Sequence, residues 1–475
     1  MNAIVDFTSG TEIVSDDGSQ SNGSASNWLP LFTLLFASLL VLTVETGTVQ
    51  AQGKPSESAE TSEPLLEQWV IKGKCMGPID YKVTIVDPPS DQTQASFKKA
   101  VQQTLDRINE RMSTYIDDSY VSEFNASDST EFMACDGETA LVVQRAIEIS
   151  KLTEGAFDVT VGPAVELWGF GRGDWRPGDP FEPPSDQDIK KTLEVVGYQK
   201  LTVRLDPPSL KKSHPGVQIN LSAIAKGYAV DQVLERLAKM GCKNILVSVG
   251  GEVRGTGHRQ NRAAWGVAVK QPDSFLDEIE TLGLISDGAM ATSGDYENFR
   301  RVGKKRYSHT INPVTGRPVE HSMASAGVLA GDCMTADALA TAALVLGRQR
   351  AIKLLESQGS DYYLIERTGD FSGKYNRYAS ETFPFADEAD RKKLTPSIPS
   401  ETNQSSIWPV FLASLCGFGL MILAMAVGAI FNNKPVKGSC GGLANVTNED
   451  GETNCGICAK PVTDCVEVTG ATNGG

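Results

Sequence analysis

Asp337 and Thr341 lie four residues apart in the segment CMTADALATAAL, residues 333–344. On a helix, this spacing places both side chains on one face. A carboxylate and a hydroxyl so arranged suit a hard cation such as Mg²⁺, which takes oxygen ligands and shares them with substrate phosphates. An acidic side chain in a first helical turn also complements the helix dipole. The segment alone therefore leaves a metal site and a purely structural role open.

Lys226 belongs to a second segment, NLSAIAKGYAVDQVLERLAKMG (residues 220–241), which has apolar residues at helical spacing. We expect Ser222 to cap this helix and Gly241 to end it. Free backbone N–H groups in the first turn, with the Lys226 ammonium nearby, would bind a phosphate. An ordinary capped helix with a surface lysine is the alternative.

His309 is one of four histidines and lies in RYSHTINPVTGRP, residues 306–318. The strand-like start of this segment and the turn signals after it place His309 near the end of a strand. A histidine there could take a proton from an attacking hydroxyl. A lone histidine is more often structural, so this segment alone does not decide between the two roles.

The elements that position these residues follow a mixed pattern. The chain of 475 residues has room for a large core, and its net charge of −15 argues against nucleic-acid binding. Residues 244–257, NILVSVGGEVRGTG, predict a strand that ends in a diglycine turn, and no dinucleotide-binding G-x-G-x-x-G is present. We expect a single α+β domain over residues 66–386. An amphipathic helix is predicted where apolar residues recur at helical intervals: Phe97, Val101, Leu105, Ile108 and Met112.

Two uncharged apolar runs flank this domain. Residues 28–44 predict a signal peptide or signal anchor, because the run is slightly short for a spanning helix of about 20 residues. Residues 407–431 are long enough for a transmembrane helix. Segments rich in Pro, Ser, Thr and acidic residues predict a disordered N-terminal extension and two linkers, at residues 1–27, 45–65 and 387–406.

The tail, residues 432–475, concentrates cysteines beyond the predicted membrane helix. Reduced thiolates bind iron or zinc tightly. A disulfide-bonded tail outside the cell is the alternative, but Lys434 and Lys437 favour a cytoplasmic and therefore reducing side. The four tail cysteines are Cys440, Cys455, Cys458 and Cys465.

Six motifs occur in order over some three hundred residues: GAFDVTVGP followed by LWGFG, LSAIAKGYAVD, VGGEVRGTG, ATSGDY, SHTINPVTGRPV and CMTADALATAALVLG. Together they resemble the ApbE family of Mg²⁺-dependent FAD:protein FMN transferases. The segment MSTYIDDSYVSEFN resembles a further family motif. In GKCMGPIDYKV, Cys75 and Pro78 stand where the family usually has threonines.

The resemblance implies a function for individual residues. The Mg²⁺ ligands would be Asp337, Thr341 and the carbonyl of Ala223, with His309 and Lys226 as catalytic groups. A Thr or Ser hydroxyl of a target protein would attack the FMN phosphorus of FAD, and AMP would leave. The residues that would line the FAD site are Met76, Tyr115, Ala156, Phe157, Asp158, Lys226 and Ile311.

The tail, with NKPVKGSCGGL after the apolar run, resembles NqrM, a maturation factor of the Na⁺-translocating NADH:quinone reductase. This resemblance implies that the reductase is the flavinylation target and that the tail delivers iron or zinc. It also implies a bacterial inner-membrane protein, with the transferase domain on the periplasmic side and the tail in the cytoplasm. An FAD pyrophosphatase, a flavin-binding protein, and a membrane-anchored assembly factor without transferase activity are the alternatives.

Overall fold

The computed structural model describes residues 64–172, 181–274, 278–296, 298–303, 305–369 and 373–394. In chain order the strands are β1 Gln68–Cys75, β2 Ile79–Val86, β3 Met133–Ala134, β4 Leu201–Leu205, β5 Pro208–Lys212, β6 Asn244–Val249, β7 Glu252–Thr256, β8 Trp265–Lys270, β9 Ile279–Ile285, β10 Gly288–Gly294, β11 Phe299–Val302, β12 Lys305–Ser308, β13 Ile311–Asn312, β14 Arg317–Pro318, β15 Met323–Ala330, β16 Tyr362–Arg367 and β17 Tyr375–Ala379.

Helices alternate with these strands along the chain. Two short 3₁₀ helices cover Val159–Val161 and Tyr198–Lys200. The α-helices are α1 Gln94–Met112, α2 Tyr120–Ala126, α3 Gly137–Leu152, α4 Gly162–Leu167, α5 Asp186–Leu193, α6 Ala225–Lys239, α7 Cys333–Leu346, α8 Arg348–Ser357 and α9 Glu388–Leu394.

Eight strands form one antiparallel sheet in the order β1-β2-β6-β7-β10-β15-β16-β17. Successive side chains of a strand point to opposite faces of the sheet. The inner strand β6 is buried on both of its faces. Its Ile245 and Val247 join the larger core, on the face covered by α1, α6 and α7. Its Leu246 joins a second core with Trp265 of β8 on the other face. The remaining strands form the smaller sheets β3-β5-β4, β8-β9, β11-β12 and β13-β14.

The predicted amphipathic helix is confirmed as α1. Thr93 caps its start, since its side chain accepts a hydrogen bond from the Ser96 N–H while the Ser96 side chain accepts one from the Thr93 N–H. The five apolar residues that predicted the helix are all buried against the sheet: Phe97, Val101, Leu105, Ile108 and Met112.

Helices α6 and α7 pack closely where Gly227 meets Cys333. A Cβ added at Gly227 would collide with the Cys333 backbone carbonyl, so no larger residue fits without moving a helix. This close approach brings the first turn of α6 beside the second turn of α7. The two helices therefore set the positions of Lys226 and Asp337 together.

A hairpin of β6 and β7 carries the predicted diglycine turn. Gly250 and Gly251 adopt φ values of 61° and 108°, which side-chain-bearing residues rarely reach. A Cβ at Gly250 would lie 2.9 Å from Ile79 and 3.5 Å from Glu252 Oε2. The turn therefore lies against the β1-β2 hairpin and beside a buried carboxylate.

Two local predictions were wrong. The helix with Lys226 begins at Ala225, so Ser222 does not cap it: Ile224 occupies the cap without a side-chain hydrogen bond, because residues 222–224 form a turn. Asp337 lies in the second turn of α7 and not in the first, and the cap of this helix is Asp332. Helix α9 lies within residues 387–406, where the linker stays a prediction. Gly241, with φ +94°, follows the end of α6 as predicted.

No helix among the described residues is long and apolar enough to cross a membrane. The two predicted apolar segments, residues 28–44 and 407–431, lie outside the described residues. The same holds for the tail cysteines, Cys440, Cys455, Cys458 and Cys465.

Candidate active site

Lys226 lies between two buried carboxylates. Its ammonium nitrogen is 2.8 Å from Glu252 Oε1 and 3.4 Å from Asp337 Oδ1. The Glu252 side chain is 0% exposed and that of Asp337 is 2% exposed, whereas Lys226 keeps 22% of its side chain in contact with solvent. The single Lys226 ammonium thus lies between two carboxyl groups, and Lys226 is the most solvent-accessible of the three side chains.

Burial and neighbouring charges shift the pKa values of Lys226 and Glu252. Burial alone would lower the pKa of Lys226, but the charges of Asp337 and Glu252 outweigh it and raise the pKa. Burial raises the pKa of Glu252, and Lys226 only partly opposes that shift. Among the described residues, Glu252 Oε2 has no hydrogen-bond partner. Lys226 therefore stays charged, which suits it to bind a phosphate.

The start of α6 presents fewer free N–H groups than the sequence predicted. The N–H groups of Ile224 and Ala225 both donate to the Leu221 carbonyl, at 3.0 and 2.8 Å. The N–H of Gly227 donates to Asp337 Oδ2 at 3.0 Å. These bonds use donors that would otherwise face a ligand, so the Lys226 ammonium is the main positive group of this site.

Asp337 and Thr341 lie on one face of α7, as their spacing predicted. The Thr341 hydroxyl is 3.0 Å from the hydroxyl of Ser293 on β10. The predicted third ligand, Ala223, lies in the turn that leads into α6. These groups together offer a carboxylate, hydroxyls and a carbonyl, the hard oxygen donors that Mg²⁺ prefers.

Asp231 of α6 fixes the start of α7. Its two carboxylate oxygens accept the N–H groups of Cys333 and Met334, each at 2.9 Å. Arg254 donates to the same carboxylate at 2.7 Å. Because these N–H groups belong to the first residues of α7, Asp231 fixes the position of α7, and with it that of Asp337, relative to helix α6, which carries Lys226.

His309 follows β12 directly, as predicted. Its Nδ1 is 2.9 Å from the Asn298 carbonyl, and its backbone N–H donates to the same oxygen at 3.1 Å. A carbonyl can only accept, so Nδ1 carries the proton and Nε2 keeps a lone pair. The Phe170 ring meets the imidazole edge-on, with 6.4 Å between centroids. His309 is thus held through Nδ1 on a different element from Lys226 and Asp337, and its role as a base stays a prediction.

Asp158 organises the segment GAFDVT. Its Oδ1 accepts the N–H and hydroxyl of Thr160, at 2.8 and 2.7 Å, and its Oδ2 accepts the Tyr198 N–H at 2.6 Å. Burial raises the pKa of Asp158 although these hydrogen bonds oppose it. Ala156 and Phe157 are buried beside it. The carboxylate has a structural role here, and its contact with FAD stays a prediction.

Ile311 belongs to an aromatic cluster that joins two motifs. Ile311 is 5% exposed and packs with Trp168 of LWGFG. The indole N–H of Trp168 donates to the Gly316 carbonyl at 2.8 Å. A Cβ at Gly155 would lie 3.5 Å from Val314, so GAFDVT meets the same NPVTG loop. The segments GAFDVT and LWGFG therefore both meet residues 311–316.

Met76 and Tyr115 lie on loops at the margin of this group. Met76 has φ +46° in the β1-β2 turn, and the neighbouring Asp80 carbonyl accepts the Gly250 N–H at 3.0 Å. Tyr115 is 68% exposed. The β1-β2 turn thus contacts the diglycine turn of VGGEVRGTG. The contact of Met76 and Tyr115 with a flavin stays a prediction.

A buried lysine supports the loop that carries Ala223. Lys212 is 1% exposed and its ammonium donates to the carbonyls of Phe124 and Val217, at 2.9 and 3.3 Å. Asn125 exchanges two hydrogen bonds with the backbone of Ile219, at 2.7 and 2.8 Å. These bonds hold the chain that leads into residues 220–225.

Sequence reasoning missed several residues of the site. Glu252 and Ser293 lie in VGGEVRGTG and ATSGDY, but neither was assigned a role. An acidic residue directly after a diglycine turn, opposite an apolar strand end at Val249, was the available signal for Glu252. Among the described residues, no cluster of three or more His, Cys, Asp or Glu side chains could hold a metal ion by itself.

Comparisons with known proteins identify the family of this chain. Residues 76–364 match the family model described as "ApbE family", which is more than half of the chain. The chain belongs to the ApbE family. A relative from Vibrio cholerae, named FAD:protein FMN transferase, is 36% identical over 324 residues, which cover 68% of this chain and 94% of the relative.

Solved ApbE structures share the fold. The flavin transferase ApbE from Vibrio cholerae has a TM-score of 0.60 at 36% identity, over 68% of this chain and 100% of that one. The apo flavinyl transferase ApbE from Pseudomonas stutzeri has a TM-score of 0.60 at 29% identity, over 67% of this chain and 96% of that one. The predicted α+β flavin-transferase fold is confirmed.

A second family model matches the tail. It is described as "(Na+)-NQR maturation NqrM" and covers residues 429–466, including the four predicted metal-binding cysteines. The predicted resemblance of the tail to NqrM is therefore confirmed.

Proposed function

We propose that this ApbE-family enzyme is an Mg²⁺-dependent FAD:protein FMN transferase, which attaches FMN through a phosphoester to a Thr or Ser of a target protein. The observation that carries the proposal is the approach of Lys226 to Asp337, at 3.4 Å, with Thr341 one turn further along the same helix. The Lys226 ammonium, the buried Asp337 carboxylate and the Thr341 hydroxyl supply the types of group that bind a diphosphate together with a metal ion. The Vibrio cholerae relative, which matches 68% of this chain, is named FAD:protein FMN transferase.

The residues present fit Mg²⁺. Asp337 is a buried carboxylate whose partner, the Lys226 ammonium, lies closer to Glu252, so the negative charge of Asp337 is only partly compensated. Asp337, Thr341 and the carbonyl of Ala223 would hold the ion with oxygen ligands only. Bound there, Mg²⁺ would supply charge neutralisation at the FAD diphosphate.

The other steps follow from this chain's own residues. The Lys226 ammonium binds the diphosphate and offsets charge that develops as the phosphorus is attacked. His309 Nε2 takes the proton of the attacking hydroxyl. A bond forms between the acceptor oxygen and the FMN phosphorus, and the bond from that phosphorus to the bridging oxygen breaks. AMP leaves with that oxygen and its electron pair.

Mass spectrometry of the acceptor tests the transfer. After incubation with FAD and Mg²⁺, the acceptor should gain the mass of FMN less water on one Thr or Ser. The matched acceptor with that residue changed to Ala should gain nothing. Modification of the acceptor without this enzyme, or no modification with it, would contradict the proposed activity.

For the acceptor, we propose a subunit of a Na⁺-translocating NADH:quinone reductase. The support is the NqrM match at residues 429–466 in the same chain as a flavin transferase domain. Both parts would then serve the maturation of one respiratory complex. Incubation of the chain with the reductase subunits and FAD should label a reductase subunit and leave other Thr-containing membrane proteins unlabelled.

For the tail, we propose an iron or zinc site on the cytoplasmic side of the bacterial inner membrane, with the transferase domain on the other side. The support is the order of the apolar runs, residues 28–44 and 407–431, around the domain. A membrane-impermeant thiol reagent should leave the tail unlabelled in intact cells and label it after permeabilisation and chelation. Labelling in intact cells would contradict this topology. The proposed ligands are Cys440, Cys455, Cys458 and Cys465.

A further inference from the structure

The hairpin of β11 and β12 leads directly to His309. Its strands have four residues each and form a two-stranded sheet apart from the eight-stranded one. A two-stranded hairpin is marginally stable by itself in water. The position of His309 therefore depends on what anchors this hairpin to the rest of the molecule.

One face of the hairpin is anchored through Arg306. Its side chain is 8% exposed, and its guanidinium donates to the Asp295 backbone carbonyl. It also lies 3.6 Å from the Asp295 carboxylate and 3.7 Å from that of Asp273. Arg306 stacks over the Phe299 ring of the neighbouring strand, 4.2 Å from its centroid.

Arg367, at the end of β16, holds the same two carboxylates. It donates to both oxygens of Asp295, at 2.7 and 2.8 Å, and to both oxygens of Asp273, at 2.8 and 3.1 Å. Two arginines and two aspartates thus form a charge-balanced cluster, of which Arg306, Arg367 and Asp295 are nearly buried while Asp273 is 30% exposed. Bidentate geometry of this kind fixes position as well as charge.

The other face is anchored through Arg300. This side chain donates to the Gly169 carbonyl and lies 4.8 Å from the Phe181 ring centroid and 5.4 Å from that of Phe170. Phe170 is the ring that meets His309 edge-on. Each face of the hairpin therefore carries one buried arginine, and His309 follows the strand that carries Arg306.

Asp295 also lies close in the chain to Ser293, a neighbour of the proposed metal ligand Thr341. It is two residues after Ser293, whose hydroxyl is 3.0 Å from that of Thr341. Its N–H donates to the Ala324 carbonyl of β15 at 3.1 Å. The cluster therefore connects the element next to Thr341 with the hairpin that ends at His309.

We propose that Arg306 is a positioning residue, which acts through His309 by locking the hairpin onto Asp295. This positioning role rests on the proposed function, because it assumes that His309 is the base for transfer. Arg306 touches neither the proposed metal ligands nor Lys226 among its described contacts. Its loss should therefore change the rate of transfer and leave FAD binding intact.

A double-mutant cycle tests this proposal with the full chain, FAD, Mg²⁺ and the reductase subunit as acceptor. Arg306→Met should lower kcat by about tenfold to 10²-fold with the KM for FAD unchanged, because a displacement of about 1 Å costs that much. In the His309→Ala background, Arg306→Met should cost almost nothing more. Arg306→Lys should recover only part of the rate, because an ammonium cannot bind two carboxylates in the same way.

Arg301→Ala is the matched control, because Arg301 is the exposed cross-strand neighbour of Arg306 on the same hairpin. It should keep the wild-type rate. Melting temperatures of all variants show whether the fold survives, which we expect because Arg367 still holds both aspartates. Equal losses from Arg306→Met with and without His309 would overturn the positioning role. If wild-type protein does not transfer FMN at all, the proposed function fails instead.

Discussion

Glu252 holds the ammonium of Lys226 at 2.8 Å with a side chain that is wholly buried. Its second oxygen has no hydrogen-bond partner among the described residues. The tight turn at Gly250 packs beside that oxygen and leaves no space for a larger residue without strain. Glu252 is thus a fixed hydrogen-bond partner of the ammonium, which draws Lys226 away from full pairing with Asp337.

Glu252→Gln should make the enzyme require more Mg²⁺. Without the carboxyl group of Glu252 as a partner, Lys226 pairs more strongly with Asp337 and competes with the metal for it. The Mg²⁺ concentration for half-maximal transfer should rise by about tenfold, since hydrogen bonds to charged groups are stronger than neutral ones by about 1 kcal/mol or more. Titration of Mg²⁺ at saturating FAD measures this. Glu110→Gln, an exposed control on α1, should leave the titration unchanged.

Asp337→Ala should lower transfer by more than about 10²-fold, because a metal ligand worth several kcal/mol of charge stabilisation is lost. FAD binding should also weaken, and Mg²⁺ should no longer strengthen it. Equilibrium binding of FAD with and without Mg²⁺ gives a measurement that does not depend on turnover. Thr341→Val should be milder because it removes a neutral ligand. Normal turnover of Asp337→Ala at limiting Mg²⁺ would refute the metal site.

His309→Ala should lower transfer by roughly 10²-fold to 10⁴-fold while FAD affinity changes little. A base acts on the attacking hydroxyl, and His309 makes its described side-chain contacts with Asn298 and Phe170 rather than with Lys226 or Asp337. Single-turnover rates and FAD binding measured on the same preparation separate the two effects. A matching loss of FAD affinity would make His309 a binding residue.

Gly227→Ala should destabilise the protein by about 1–3 kcal/mol, because the new methyl group overpacks the contact of α6 with the Cys333 carbonyl. Transfer should fall as well, since the same contact sets Asp337 beside Lys226. Gly331→Ala is the control, because a Cβ there meets no atom within 4 Å. Denaturant unfolding of both variants measures the difference. Equal stability of the two would contradict the close packing of α6 on α7.

Local sequence patterns predicted the elements that bear the chemistry. The spacing of Asp337 and Thr341 placed them on one face of α7, and the turn signals after His309 placed it at a strand end. These predictions succeeded because helical periodicity and turn chemistry act between near neighbours. The cap at Ser222 failed because residues 222–224 form a turn whose N–H groups bond to Asn220 and Leu221 before α6 begins.

The partners of those residues could not be predicted in the same way. Glu252 contacts Lys226 from another element. Arg306 lies beside Asp273, which Arg367 also binds, and the tertiary fold alone brings these residues together. No local pattern marks such pairs, because they depend on how the sheet orders its strands. The family motifs located the neighbourhood of the site, and the structure supplied the residues that hold it together.

Covalent flavinylation of an acceptor is the most direct test of the central claim. The chain is incubated with FAD, Mg²⁺ and the reductase subunit, and flavin fluorescence is recorded after denaturing electrophoresis. We predict a fluorescent acceptor band, AMP released in equal amount, and no band with Asp337→Ala. Release of FMN and AMP without a fluorescent acceptor would show a pyrophosphatase and would contradict the account.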